Sequence, residues 1–174
     1  KVDLLIVAPN EAAPITPVVE EAFDKGIPVI MVDRKILSDK YTAFMGADNY
    51  EIGREVGNYL AAKLEKFGAK VTNQYADLLR YDGVILKARN IIGSYKPENK
   101  KRVLLFAHWD TRPWADNDPN EQNHHTPILG ANDGASGVGV LLEIARLLGQ
   151  QQPELGVDII FFDAEDYGAP QFYN

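Results

Sequence analysis

Four apolar runs constrain this chain more than anything else in it: residues 3–8 (DLLIVA), 27–32 (IPVIMV), 102–107 (RVLLFA) and 157–162 (VDIIFF). Short, nearly continuous runs of this kind read as strands buried on both faces, and such strands need helices to cover them. Helical spacing appears between them. Residues 14–25 place Val18, Val19, Ala22 and Phe23 on one face, with Gly26 as the stop. Residues 50–67 repeat Ile52, Val56, Tyr59, Leu60, Leu64 and Phe67, with Asp48 or Asn49 as cap and Gly68 as the end. Residues 134–148 carry Val138, Leu141, Leu142, Ile144, Ala145 and Leu148 after a cap at Asn132-Asp133. The first two runs and the helix between them form a β-α-β unit, so their strands should be parallel with a right-handed crossover.

A shorter strand is expected at 42–46. Residues 70–79 and 83–95 alternate apolar and polar side chains, with turns at 81–83 and 96–101, which predicts an antiparallel meander leading into the run at 102. The expected fold is α/β: a three-layer α/β/α sandwich with a mixed, mostly parallel central sheet and an antiparallel meander at one side. A chain of 174 residues can bury one sizeable core, so a single domain over 1–174 is the expectation.

Charge narrows the partners. With 18 basic and 25 acidic residues the formal charge is −7, which disfavours nucleic acid and anionic membranes. The one dense basic run, residues 96–102 (KPENKKR), has no aromatic interleaving and reads as a solvated turn. Cysteine is absent, which excludes disulfides, thiolate zinc sites and thiol nucleophiles. No apolar run approaches the roughly 20 residues of a membrane span, and the N-terminus lacks the layout of a signal peptide.

The last apolar run ends in Asp163, Glu165 and Asp166 (IIFFDAEDYG). Carboxylates this close raise one another's pKa unless a metal, a basic side chain or water offsets them. His108, at the end of the third run, and Asp133, at a helix start, could share their crevice, because ligands bind at the carboxyl ends of strands in open α/β sheets. Imidazole and carboxylates are donors that zinc accepts without thiolates. Taken singly, each has an ordinary reading: Asp133 as an N-cap, the acidic cluster as a solvated loop, His108 as a half-buried hydrogen-bonded histidine, and His124-His125 as loop residues.

Three ordered motifs, LLFAHWDTRP (104–113), PILGANDGASGVGVLLEIARLL (127–148) and DIIFFDAEDYG (158–168), resemble the M28 zinc aminopeptidases. The resemblance is greatest to their bacterial glutaminyl-peptide cyclotransferase branch and runs from about residue 57 onward. It implies Asp133 and Asp166 as zinc ligands and Glu165 as the catalytic general base. His108 matches a histidine that ligates metal in two-zinc peptidases and is often spared in single-zinc cyclotransferases; Trp109 is a substrate-binding candidate. The implied substrate is a peptide with an N-terminal Gln, whose own α-amine would be the nucleophile. The family takes a further histidine ligand from sequence beyond the EDYG motif, so weak zinc binding is expected within these residues.

The first third differs. Residues 2–35 and 44–61 resemble the type I periplasmic, ribose-binding-like sugar-binding fold, in which Asp33 and Arg34 match sugar contacts. Without a second lobe, those two read as a local ion pair or strand-end cap. The two resemblances meet inside the helix at 50–67, dividing the chain into 1–64 and 65–174, and such a junction points to an engineered chimera without full activity. The alternatives are an active zinc cyclotransferase or aminopeptidase, and a sugar-binding module. Both parents are implied to be extracytoplasmic, and an exposed sheet edge could support a homodimer.

Overall fold

The computed structural model describes residues 2–9, 12–46 and 49–173. The fold is α/β with parallel and antiparallel strands, as the apolar runs require. The described strands form two sheets, however, and not the one central sheet expected. Contacts divide the chain into two compact units, Lys1–Arg54 and Glu55–Asn174, whose boundary falls inside a helix.

In the first unit β1 (Leu5–Val7), α1 (Ala12–Asp24), β2 (Val29–Val32) and β3 (Ala43–Met45) give a sheet ordered β1-β2-β3. Every pairing is parallel, with Leu5 opposite Val29 and Ile30 opposite Ala43. Parallel pairing follows from the helical crossover, and the most apolar strand takes the centre: Val29 and Met31 are fully buried. Ile15, Val19 and Ala22 pack α1 onto that core. Val18 and Phe23, expected on the buried face, are exposed, because the stripe that meets the sheet steps through positions 15, 19 and 22.

The helix α2 (Asn49–Lys66) leads into the second unit; of the two caps expected, Asp48 lies outside the described residues and Asn49 is the first residue of the helix. There β4 (Lys70–Leu79), β5 (Ile85–Tyr95), β6 (Arg102–His108), α3 (Ala135–Gln150) and β7 (Gly156–Phe162) form a sheet ordered β4-β5-β7-β6. β4 and β5 pair antiparallel from Lys70–Ser94 to Leu79–Ile85, as expected. The meander does not continue into β6. β7 inserts between β5 and β6, antiparallel to the first and parallel to the second.

Asp158 explains that register. It sits on β7 between two neighbours, accepting Ser94 Oγ of β5 at 2.6 Å and the Arg102 guanidinium of β6 at 2.6 and 2.7 Å. Ile159 and Phe161 are fully buried on the same central strand. β6, expected to be buried on both faces, becomes the outer strand and exposes Val103, Leu104 and Phe106. Leu60, Ala61 and Leu64 of α2 and Leu141 and Ala145 of α3 complete the core. Gly93 permits close helix packing, since a Cβ there would stand 2.9 Å from Leu64 Cδ1. No described helix is long and apolar enough to cross a membrane.

Candidate metal centre

The parallel pairing of β6 with β7 places His108 opposite Phe162, so both strands end together. His108 is therefore delivered to the place where the chain turns into Asp163, Ala164, Glu165 and Asp166. That turn is sharp: Ala164 has φ of 63°, a left-handed conformation that ordinary side chains adopt only when their surroundings hold them there. Asp163 holds it. Its Oδ1 accepts the Ala164 amide at 2.9 Å, its Oδ2 accepts the Arg89 amide at 2.8 Å, and its own amide donates to Asn90 Oδ1 at 3.0 Å. Burial pushes the Asp163 pKa up, against the opposing Arg89 hydrogen bond. Asp163 is thus a structural carboxylate, the role in which it orients its neighbours.

His108 lies among the other carboxylates. Its Nε2 is 3.1 Å from Asp133 Oδ1, and its Nδ1 is 3.4 Å from Asp110 Oδ1 and 3.9 Å from both Glu165 Oε2 and Asp166 Oδ2. Ligand atoms of His108, Glu165 and Asp166 all fall within 4.8 Å of one another. Two of these atoms, His108 Nδ1 and Asp166 Oδ2, are buried without a hydrogen-bond partner. Unsatisfied buried polar atoms are costly, and a pair of them 3.9 Å apart is what a shared cation would satisfy. The donors, one imidazole and several carboxylates, suit zinc.

Electrostatics agree with that reading. Burial disfavours the His108 cation, but Asp110, Glu165, Asp166 and Asp133 together outweigh it and raise the His108 pKa above its ordinary value. Burial also raises the Asp166 pKa, and Asp133, Asp110 and Glu165 add to the rise while His108 opposes it. The cluster attracts positive charge, and a bound cation would supply it.

Asp133 is not the cap expected of it. α3 starts at Ala135, and its N-cap is Gly134 with φ of 90° and no side-chain capping bond. Gly134 packs tightly, since a Cβ there would stand 2.8 Å from the Asp110 carbonyl and 3.3 Å from His108 Cε1. Freed from capping, the Asp133 carboxylate is left to face His108. The substrate role expected of Trp109 gains no support from its position. The ring packs against the hydrophobic core, and its indole N–H donates to the Arg89 carbonyl at 3.2 Å. His124 Nε2 lies 2.8 Å from the Asp118 carbonyl and the His125 ring meets Phe172 at a tilt, with centroids 4.3 Å apart, both as loop residues.

Three residues of this neighbourhood escaped the reading of the sequence. Asp110 accepts the amides of Glu165 at 3.2 Å and Asp166 at 2.9 Å, tying the acidic turn to the end of β6. Arg112 and the buried Asp116 form a bidentate pair beside it, which holds the Asp116 carboxyl at about 2. All three follow His108 within a few positions, and that clustering was the available signal. In the first unit Asp33 and Arg34 pair with each other at 3.9 Å, and Asp33 turns the chain with φ of 69°. They behave as the local ion pair expected from the sequence.

Residues 90–173 match peptidase family M28, and residues 1–85 match a periplasmic binding protein domain. The crystal structure of Bacteroides thetaiotaomicron glutaminyl cyclase bound to N-acetylhistamine shares 63% identity and a TM-score of 0.70, covering 97% of this chain and 52% of that one. The fold is similar to that of M28 peptidases and glutaminyl cyclases. A Zn-dependent exopeptidase from Parabacteroides distasonis is similar, at 48% identity and a TM-score of 0.68, with 97% of this chain and 52% of that chain covered. The binding-protein likeness is shorter: the D-ribose/D-allose-binding protein of Pseudomonas aeruginosa is 39% identical over 70 residues, 37% of this chain and 22% of that protein. The chain spans about half the length of these solved enzymes and about a third or less of the curated relatives it matches. The M28-like relatives imply zinc, which the donor set around His108 fits.

Proposed function

We propose that the second unit carries the zinc site of a glutaminyl-peptide cyclotransferase or M28 aminopeptidase, in a chimeric chain whose first segment descends from a sugar-binding protein and whose activity is incomplete. The observation that carries the metal reading is the pair of buried, partnerless atoms, His108 Nδ1 and Asp166 Oδ2, on adjoining strand ends. His108 and Asp166 would hold the ion, and Asp133, which in this structure faces the other ring nitrogen, Nε2, would turn toward it as the further ligand that the resemblance implies. When bound, zinc would act as a Lewis acid on the γ-carbonyl of an N-terminal glutamine, or on a scissile peptide carbonyl.

Glu165 is the proposed proton carrier. Its amide is fixed by Asp110, while its side chain is 63% exposed and free to meet a substrate. In a cyclase it would take a proton from the substrate's α-amine and return it to the departing ammonia. In a peptidase the same carboxylate would serve an attacking water. Incomplete activity is supported by the openness of the site: Asp133 and Glu165 are both mostly exposed, whereas water exclusion strengthens catalytic electrostatics. A chimeric origin is supported by the two family matches, which occupy successive segments. The β6 edge, with Phe106 64% exposed, is the proposed surface of a homodimer.

Calorimetric titration with zinc, followed by an ammonia-release assay on an N-terminal glutaminyl peptide, tests the proposal. Zinc binding that disappears in Asp166→Ala is expected, with slow turnover or none. Absence of zinc binding at millimolar metal would overturn it, and rapid turnover would show an active enzyme instead.

A further inference from the structure

Arg112 lies against the backbone of the candidate metal carboxylate without touching the carboxylate itself. Its Nε and Nη2 donate to the two oxygens of Asp116 at 2.6 and 2.7 Å, and its Nη1 donates to the carbonyl of Asp166 at 3.1 Å. Asp116 is 1% exposed, and its Oδ2 also accepts the Gln171 amide at 2.9 Å. One ion pair therefore grips the segment after the acidic turn at both ends, at the Asp166 carbonyl and at the Gln171 amide.

Stability alone explains this arrangement poorly. A buried ion pair recovers little beyond its own desolvation cost, and an apolar pair of equal volume often does better. What a guanidinium offers, and an apolar pair cannot, is a rigid fork of donors that fixes direction. The direction fixed here is that of the Asp166 peptide. Its amide is held from the other side by Asp110 Oδ2 at 2.9 Å, so both polar groups flanking the Asp166 Cα are anchored. With N–H and C=O both held, the side chain has little choice of direction, and its Oδ2 stays buried opposite His108 Nδ1. An aromatic group closes over the segment: Trp114 meets Tyr81, Tyr167 and Phe172 edge-on at centroid separations of 6.2 to 6.4 Å.

We propose that Arg112, locked by Asp116, is a positioning residue that aims the Asp166 carboxylate into the metal site and sets the site's affinity for zinc. The proposal rests on the zinc reading above and adds to it a residue that contacts neither metal nor substrate. Removing such support for a metal ligand commonly costs about 10- to 100-fold in affinity.

The test uses the full chain and its Arg112→Met, Arg112→Lys and Asp116→Asn variants. Lys87→Met serves as control, since Lys87 pairs with Asp77 on the exposed face of β4 and β5 at 2.6 Å. Zinc affinity is read by competition with a chromophoric chelator, metal-free melting by circular dichroism, and the Asp166 amide by hydrogen exchange. Arg112→Met should bind zinc at least about 10-fold more weakly and exchange its Asp166 amide faster, Arg112→Lys should recover part of the loss, and Lys87→Met should match the parent. If Arg112→Met does not fold, Arg112→Lys and Asp116→Asn decide the matter by the same readouts. Folded variants that melt lower but keep zinc affinity within about twofold of the parent would make Arg112 merely structural and overturn the proposal. A parent chain that binds no zinc overturns both readings, whereas zinc binding indifferent to Arg112 overturns only this one.

Discussion

Asp116 shows how one buried carboxylate sets a pH limit on the neighbourhood of the site. The Arg112 guanidinium holds its pKa at about 2, below the ordinary carboxylate range. A carboxyl whose folded pKa is depressed adds stability that is complete above the unfolded value and lost as pH falls through the folded one. The stability difference between the parent and Asp116→Asn should therefore be constant near neutrality and shrink between about pH 4 and pH 2, as measured by urea unfolding at a series of pH values. At neutral pH, removal of the partner by Asp116→Ala leaves the Arg112 charge uncompensated and should cost on the order of 3 kcal/mol. Gly134 makes a second prediction. With φ of 90° and the Asp110 carbonyl 2.8 Å from a would-be Cβ, Gly134→Ala should cost about 2 kcal/mol and weaken zinc binding by shifting His108.

At the scale of elements, the position of β7 governs both the core and the site. It pairs on both sides, carries the fully buried Ile159 and Phe161, and ends in the acidic turn. Ile159→Ala should cost about 3 kcal/mol in denaturant unfolding, because the central strand cannot relax into the cavity. Val103→Ala on β6 should cost less than about 1 kcal/mol, because 41% of Val103 is already exposed. The apolar runs marked both as strands, but their ranking in the sheet was not legible from hydrophobicity. It depends on Asp158, whose polar side chain in an otherwise apolar run found partners on both neighbours, Ser94 and Arg102. In α1 the limit was one of phase: periodicity marked a helix, yet Val18 turned outward while Ile15 turned in.

For the whole molecule, zinc should act as a stabilising ligand of the second unit. A ligand that binds only the native state raises the melting temperature with its concentration, so a zinc-dependent rise reversed by chelator is expected by calorimetry. Ribose should leave the melt unchanged, since Asp33 and Arg34 already pair with each other. Much of this was readable along the chain: the strands and helices from the apolar runs and their spacing, and His108, Asp133, Glu165 and Asp166 from the motifs around them. Hydrophobic period and residue chemistry are local properties, so the sequence by itself determined the α/β class and the parallel β-α-β unit, while its motifs, through their resemblance, nominated the candidate ligands. Strand order, the release of Asp133 from capping, the packing of Trp109 against the core and the clamp of Arg112 and Asp116 on the Asp166 backbone were decided only by tertiary structure. Each depends on contacts between residues distant in sequence, as Arg89 and Asp163 or Asp110 and Asp166 are. No local pattern encodes which donor a buried carboxylate will meet; the packing of the sheet does.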